Sequence, residues 1–294
     1  MKDPKPQIQI DQCIFDLYDE YCHGSMARRD FFAKASTLTV GGLLMAQALI
    51  PEYIQAQTIS FTDPRIKAQY VNYPSEGGTS GQMRGYLVQP TKAGPAPAVL
   101  VVHENRGLNP HIEDVARRLA AQGFLALAPD GLSPVGGYPG NDEEGKDMQA
   151  KLTPAKLLAD MRNSALYLKS HALSTGKLGV TGFCWGGGVT NSLSCSLGAG
   201  VQAAVPFYGD APSAEQVANI KSPLLLHFAE NDPRINGMWP PFEAALKANK
   251  VSYQSFSYQG TQHGFNNNST PRYVEAAANL AWERTIAFFK SNLT

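Results

Sequence analysis

Cysteine is scarce and unpatterned in this chain: four occur in 294 residues, and none falls in a C-x-x-C pair. That excludes the usual thiolate zinc site and the dithiol redox motif, and it leaves no disulfide framework for the fold to depend on. Excess charge of either sign is missing too, since 25 Lys plus Arg balance 25 Asp plus Glu. No basic run is spaced to track phosphates, so nucleic acid is not expected as a partner. Long apolar runs are absent. The longest candidate, Ala35 to Ile50, carries Ser, Thr and Gln and falls short of a membrane span. What remains is 43% hydrophobic and 17% charged, the balance of a chain that can bury an ordinary core.

The chain changes character near residue 57. Before it, Ile14, Leu17, Tyr18 and Tyr21 recur at helical spacing and predict one short amphipathic helix. Arg28-Arg29, followed by Phe31-Phe32, the weakly apolar run and Pro51, has the pattern of a twin-arginine export signal. The long stretch before Arg28 and the poor cleavage site Ile54-Gln-Ala-Gln57 point the other way. Two readings therefore stand for residues 1–57. One is a signal that sends the protein to the periplasm, where Cys13 and Cys22 could pair. The other is a retained helical extension, cytoplasmic, packed on the domain or on a second copy in a homo-oligomer.

Residues 58–294 alternate strand-like and helix-like stretches, which predicts an α/β domain with a mostly parallel, doubly wound sheet and helices on both faces. Arg65 to Tyr73 and Gly81 to Val88, joined by a Gly-rich turn, read as an antiparallel start. Pro97 to Val102 is a strand buried on both faces, and Asn109 to Gln122 the first crossover helix. Phe124 to Ala128 is the next strand, and Pro129 to about Lys146 reads as a long loop. Then come a helix over Thr153 to Leu173, strands at 202–207, 223–229 and 253–258, and helices at 240–249 and 273–290.

One stretch organises this domain: Leu178 to Thr181, a short β-rich run, enters Gly182-Phe-Cys184-Trp-Gly186, and small residues then lead into an expected helix. Strand, sharp turn and helix with a G-x-x-x-G frame make a nucleophile elbow, with Cys in the serine position. At a helix N-terminus the backbone N–H groups favour a thiolate and can hold an oxyanion. The plain alternative is that Cys184 is a small buried hydrophobe.

An activated cysteine needs a base and a group to orient that base. In an α/β-hydrolase the order is nucleophile, acid, histidine, on loops at the carboxyl ends of strands. Asp232 follows the strand ending at Ala229, and His263 follows the strand ending at Tyr258, so both fall on the rim where Cys184 emerges. Of the other histidines, His227 reads as a core residue, His171 as a complement to a helix end, and His111 and His23 as surface residues. Glu104 closes the third strand, where a carboxylate beside a thiol can accept its proton; the alternative is an ion pair with Arg106. The N–H groups of Trp185 and Asn105 are the candidate oxyanion donors.

Gly182-Phe-Cys184-Trp-Gly-Gly187, Asp232, His263-Gly-Phe265 and Val102-His-Glu104-Asn-Arg-Gly-Leu-Asn109 together resemble the dienelactone hydrolase (carboxymethylenebutenolidase) family, over about residues 60–292. The resemblance implies an α/β-hydrolase fold and a Cys184–His263–Asp232 triad with no metal and no cofactor. It also implies that Glu104 contacts the resting thiol. It further implies two arginines that grip a substrate carboxylate, and here the sequence departs. The loop Asp130 to Tyr138 has no Arg, and Phe265 is followed by Asn266-Asn-Asn268. Arg106, Arg234 and Arg272 are candidate replacements, with Tyr138 a further candidate for substrate contact.

The expected function is hydrolysis of a small lactone or activated ester through a thioester on Cys184. The alternatives are a broader carboxylesterase or thioesterase, and a non-catalytic α/β-hydrolase scaffold that binds a ligand or partner.

Overall fold

The structure is a computed structural model that describes residues 10–23, 26, 28–49 and 57–294. Three helices come first: α1 (Gln12–His23), α2 (Arg28–Leu38) and α3 (Gly42–Ala48). The domain follows as β1 (Ile66–Ser75), β2 (Gly81–Pro90), β3 (Ala96–Val102), α4 (Pro110–Ala121), β4 (Leu125–Pro129), α5 (Asp142–Ala150) and α6 (Pro154–Ser170). It continues through β5 (Ser174–Phe183), α7 (Trp185–Leu197), β6 (Ala203–Phe207), α8 (Ala214–Val217), β7 (Leu224–Asn231), α9 (Pro233–Ala248), β8 (Tyr253–Gln262) and α10 (Glu275–Leu293).

The eight strands form one sheet in the order β1-β2-β4-β3-β5-β6-β7-β8. β1 and β2 pair antiparallel, β2 pairs antiparallel with β4, and the remaining neighbours are parallel. The reason lies in the connections: a short turn joins β1 to β2, whereas parallel neighbours need a crossover. From β3 the chain winds first outward to β4 and then back to β5 on the other side. The topological switch therefore lies between the carboxyl ends of β3 and β5, the place where open α/β sheets bind ligands.

Strands buried on both faces need continuous apolar sequence, and Ala98 to Val102 are all fully buried. Val99 and Val101 face Ile112, Val115 and Leu119 of α4 with Ile286 and Phe289 of α10. Ala98, Leu100 and Val102 face the opposite core, with Met161 of α6, Leu193 of α7 and Leu246 of α9. Truncating Leu100 to Ala would cost about 2–5 kcal/mol by the usual cavity penalty. Asn109 starts α4 by accepting the Ile112 N–H at 3.1 Å, with Pro110 at the first helical position.

The extension has a small core of its own. Ile14, Leu17, Tyr18 and Tyr21, the residues spaced for a helix face, are buried with Phe31, Ala35, Ala46 and Leu49. Phe31 stacks on Tyr21 with ring centroids 4.8 Å apart. Cys13 is a free, half-buried thiol, and the side chains of Cys22 and His23 lie outside the described residues. Among the described residues no helix is long and apolar enough to cross a membrane.

Three expectations are corrected. The span 129–146 is not all loop, because α5 begins at Asp142. Asn141 caps it by accepting the Glu144 N–H at 2.8 Å, and a Cβ on Gly145 would meet the Arg106 carbonyl at 2.3 Å, so the glycine lets the helix lie against that backbone. The next helix expected at 240–249 starts instead at Pro233, with Asp232 as its cap and Pro240-Pro241 inside it. His111 is buried rather than on the surface, with Nδ1 3.0 Å from Asn268 Oδ1; burial lowers its pKa, so the neutral ring is favoured.

Candidate active site

β5 delivers Cys184 into a left-handed backbone conformation, φ 58° and ψ −117°, at the N-terminal cap of α7. A non-glycine residue holds such angles only where its surroundings fix it. The flanking glycines show how. A Cβ on Gly182 would lie 2.2 Å from the Gly186 carbonyl oxygen, and one on Gly186 would lie 2.4 Å from that of Val102. The Cys184 N–H is tied to the Phe207 carbonyl at 3.1 Å, and its carbonyl accepts from Gly187 and Gly188. Trp185 is the first residue of α7, so its N–H has no intrahelical acceptor. Its ring stacks on His103, whose Nε2 accepts the Gly131 N–H at 3.0 Å and whose Nδ1 bonds the Glu104 carbonyl.

His263, immediately after β8, and Asp232, immediately after β7, are joined by Nδ1 to Oδ2 at 2.6 Å. Both are buried. Burial opposes a charge on His263. The charge of Cys184, the Asp232 hydrogen bond and a hydrogen bond to Cys184 outweigh it and raise its pKa to about 9. The charged form of the ring is thereby favoured, with Nδ1 donating to Asp232 and Cys184 near enough to act on it. His263 is thus hydrogen-bonded to Asp232 and electrostatically coupled to Cys184.

Glu104 stands just beyond β3 and is buried. It is not paired with Arg106: its Oε2 accepts from Asn267 Nδ2 at 2.9 Å. Asn105, the next residue, is half-buried on the same loop, across the switch point from Trp185.

Three of the four candidate substrate contacts are engaged elsewhere. Arg106 lies 3.7 Å from Asp142 and 3.8 Å from Glu143, and donates to the Tyr18 hydroxyl at 3.3 Å. Tyr138 donates to Asp142 at 3.0 Å, and burial with that carboxylate raises its pKa. Arg234, on α9, pairs with Asp210 at 2.6 Å. Of the four, Arg272 stays beside His263, its guanidinium 4.7 Å from the Tyr18 ring centroid and against the Gly264 backbone.

Sequence reasoning missed several neighbours. Tyr208 holds φ 38° after β6 and places its ring 4.9 Å from that of His263; no local motif announces it. Asn267 was visible only as part of an Asn run that departs from the expected Arg. Phe15 and Asp16 of α1 help close a cavity of about 100 Å³ that borders Asp232, His263 and Arg272. No cluster suited to a metal ion occurs among the described residues.

Comparison with known proteins gives two family-model matches: "Dienelactone hydrolase family" over residues 83–293, and "YqhI-like" over residues 1–40. A protein of Escherichia coli K12 named as a hydrolase fragment, YghX, is 58% identical over 113 residues, 38% of this chain and 96% of its own length. A protein of Bradyrhizobium sp. named for 2-oxo-3-(5-oxofuran-2-ylidene)propanoate lactonase activity is 32% identical, covering 74% of this chain and 92% of its own. A Klebsiella pneumoniae structure described as a dienelactone hydrolase superposes with a TM-score of 0.67 at 29% identity, covering 76% of this chain and 98% of that one.

Proposed function

The chain belongs to the dienelactone hydrolase family, an ester- and lactone-cleaving branch of the α/β-hydrolases, and on that premise we propose that it hydrolyses small lactones or activated esters through a Cys184–His263–Asp232 triad. The observation that carries this reading is the 2.6 Å hydrogen bond from His263 to Asp232, with Cys184 at the head of α7 near enough to raise the pKa of the imidazole.

The Cys184 thiolate attacks the substrate carbonyl, and the developing oxyanion is received by the N–H groups of Trp185 and Asn105. The C–O bond breaks, and the departing enolate or alkoxide takes its proton from the His263 imidazolium. In the thioester the sulfur carries no charge, so the strongest influence raising the His263 pKa is gone, and the ring falls back toward its ordinary range. It can then take a proton from water as hydroxide adds to the thioester, expelling thiolate and restoring the starting pair. Glu104, held by Asn267, relays the proton of a neutral Cys184 thiol to His263 and so forms that starting pair.

With Arg106, Arg234 and Tyr138 in ion pairs or hydrogen bonds of their own, a substrate carboxylate has no prepared bidentate grip. The substrate we favour is a small lactone or ester, the reaction class that the relatives' names state, and an uncharged one over the carboxylate that the Bradyrhizobium relative's name specifies. The presence of all three residues of the proposed triad argues against a purely binding scaffold. For the chain's division we keep 1–57 and 58–294. The packing of α2 and α3 with α1 supports retention of the extension over its removal as a twin-arginine signal.

Acid-quenched protein, sampled during turnover of an aryl ester, tests the mechanism by peptide mass spectrometry. The acyl group is expected on the peptide containing Cys184. An acyl group on a different residue would displace Cys184 as nucleophile.

A further inference from the structure

Helix α1 touches the loop after Glu104 and the loop around His263. Gln12 exchanges two side-chain hydrogen bonds, at 3.1 and 2.6 Å, with Gln262, the neighbour of His263. Tyr18 receives the Arg106 guanidinium from the Glu104–Asn105 loop and lies under Arg272 from the loop after His263. Tyr21 is anchored by Lys146 of α5, whose ammonium sits 3.9 Å over the ring and also donates to the Tyr21 carbonyl.

Between these anchors Phe15 and Asp16 form one wall of the cavity beside His263 and Asp232. Its volume is about 100 Å³, small enough for a single side chain on its wall to matter to what enters. Phe15 is half-buried there, while Asp16 is exposed, with its Oδ1 held by Gln12 at 2.8 Å. Arg272, the cation on the opposite wall, is largely covered by Tyr18 and Gly264. A solute arriving from outside thus meets an apolar ring and an exposed carboxylate, both supplied by the extension.

We propose that α1 is the substrate-selecting wall of the site: Phe15 limits the size of the acyl group, and Asp16 selects against anionic ones. The proposal rests on the hydrolase reading of the same site and assigns a role in it to residues outside the hydrolase domain. A larger pocket admits longer chains, with each added methylene able to shift discrimination by about tenfold or more. An exposed charge a few ångströms away shifts the preference between neutral and anionic solutes by about fivefold.

The test uses the full chain as wild type, Phe15→Ala and Asp16→Asn, with two readouts. The first is kcat/KM for p-nitrophenyl acetate, octanoate, butyrate and hydrogen succinate. The second, independent of turnover, is the rate of Cys184 labelling by iodoacetamide, N-benzylmaleimide and iodoacetate. Phe15→Ala is expected to raise the benzylmaleimide-to-iodoacetamide ratio and the octanoate-to-acetate ratio about tenfold. Asp16→Asn, an exposed isosteric change that leaves the fold alone, is expected to raise the iodoacetate and hydrogen succinate rates about fivefold against their neutral counterparts. Unchanged labelling ratios in both variants overturn the proposal, whatever the esters do. Shifted labelling ratios with no ester cleaved by any of the three proteins would uphold the wall and sink the hydrolase reading.

Discussion

Asp232 holds His263 with one carboxylate oxygen and a helix with the other: Oδ2 lies 2.6 Å from the imidazole Nδ1, and Oδ1 accepts the Ile235 N–H of α9 at 3.2 Å. The proposed catalytic acid is thereby fixed by the start of a regular element rather than by a loose loop. Two substitutions separate its roles. Asp232→Asn keeps an oxygen for the cap but removes the charge that orients the ring, so kcat should fall roughly 10²–10⁴-fold with Tm nearly retained. Asp232→Ala should lose the same activity and about 1 kcal/mol of stability besides. Steady-state kinetics beside thermal unfolding of both variants checks this.

The raised pKa of His263, about 9 against an ordinary 6.5, makes a statement about stability. The folded protein holds the imidazolium more tightly than the unfolded chain does. That stabilisation is complete below about pH 6.5 and is lost as pH rises through about 9, with an upper bound of about 3 kcal/mol. The difference in Tm between wild type and His263→Gln should therefore narrow between about pH 6 and pH 10. A constant difference across that range would show that His263 is neutral in the resting protein.

Asn267 gives the buried Glu104 a neutral partner at 2.9 Å and is itself oriented by Ser269, whose N–H and hydroxyl both donate to its Oδ1. Replacing it by Asp would set two carboxylates side by side, which raises their pKa values in the folded state. Stability should then be lost above the ordinary carboxylate range and recovered as pH falls. We expect Asn267→Asp to cost about 3 kcal/mol near neutrality and visibly less near pH 5, measured by denaturant unfolding. Glu104→Gln, which keeps the shape, should preserve stability while lowering kcat/KM by about tenfold or more.

Much of this arrangement is legible in the sequence because the elbow is a local device. Glycines at 182 and 186, a β-rich run before them and small residues after them are all adjacent in the chain, and the structure uses each for a close backbone approach. Asp232 and His263 are legible for a different reason: the fold places loop residues at the carboxyl ends of successive parallel strands, so strand ends can be counted. Long-range partnerships were not legible. Asn267 meets Glu104 and Tyr18 meets Arg106 and Arg272 across wide separations in sequence, with no spacing rule to reveal them. α5 was hidden because its sequence is acidic and contains Gly145, so no apolar stripe marked it. The early start of α9 was hidden by Asp232-Pro233, which reads as a turn yet is equally a cap followed by Pro at the first helical position.

The account stands on Cys184 as the nucleophile, and the most direct measurement is the loss of ester hydrolysis against the extent of thiol alkylation, followed peptide by peptide. Cys195 is buried and its thiol is pushed up to about 11, so it should react slowly. The account predicts that iodoacetamide modifies Cys184 first and that activity falls in proportion to that one modification. Hydrolysis that continues at its original rate after Cys184 is fully alkylated would contradict it.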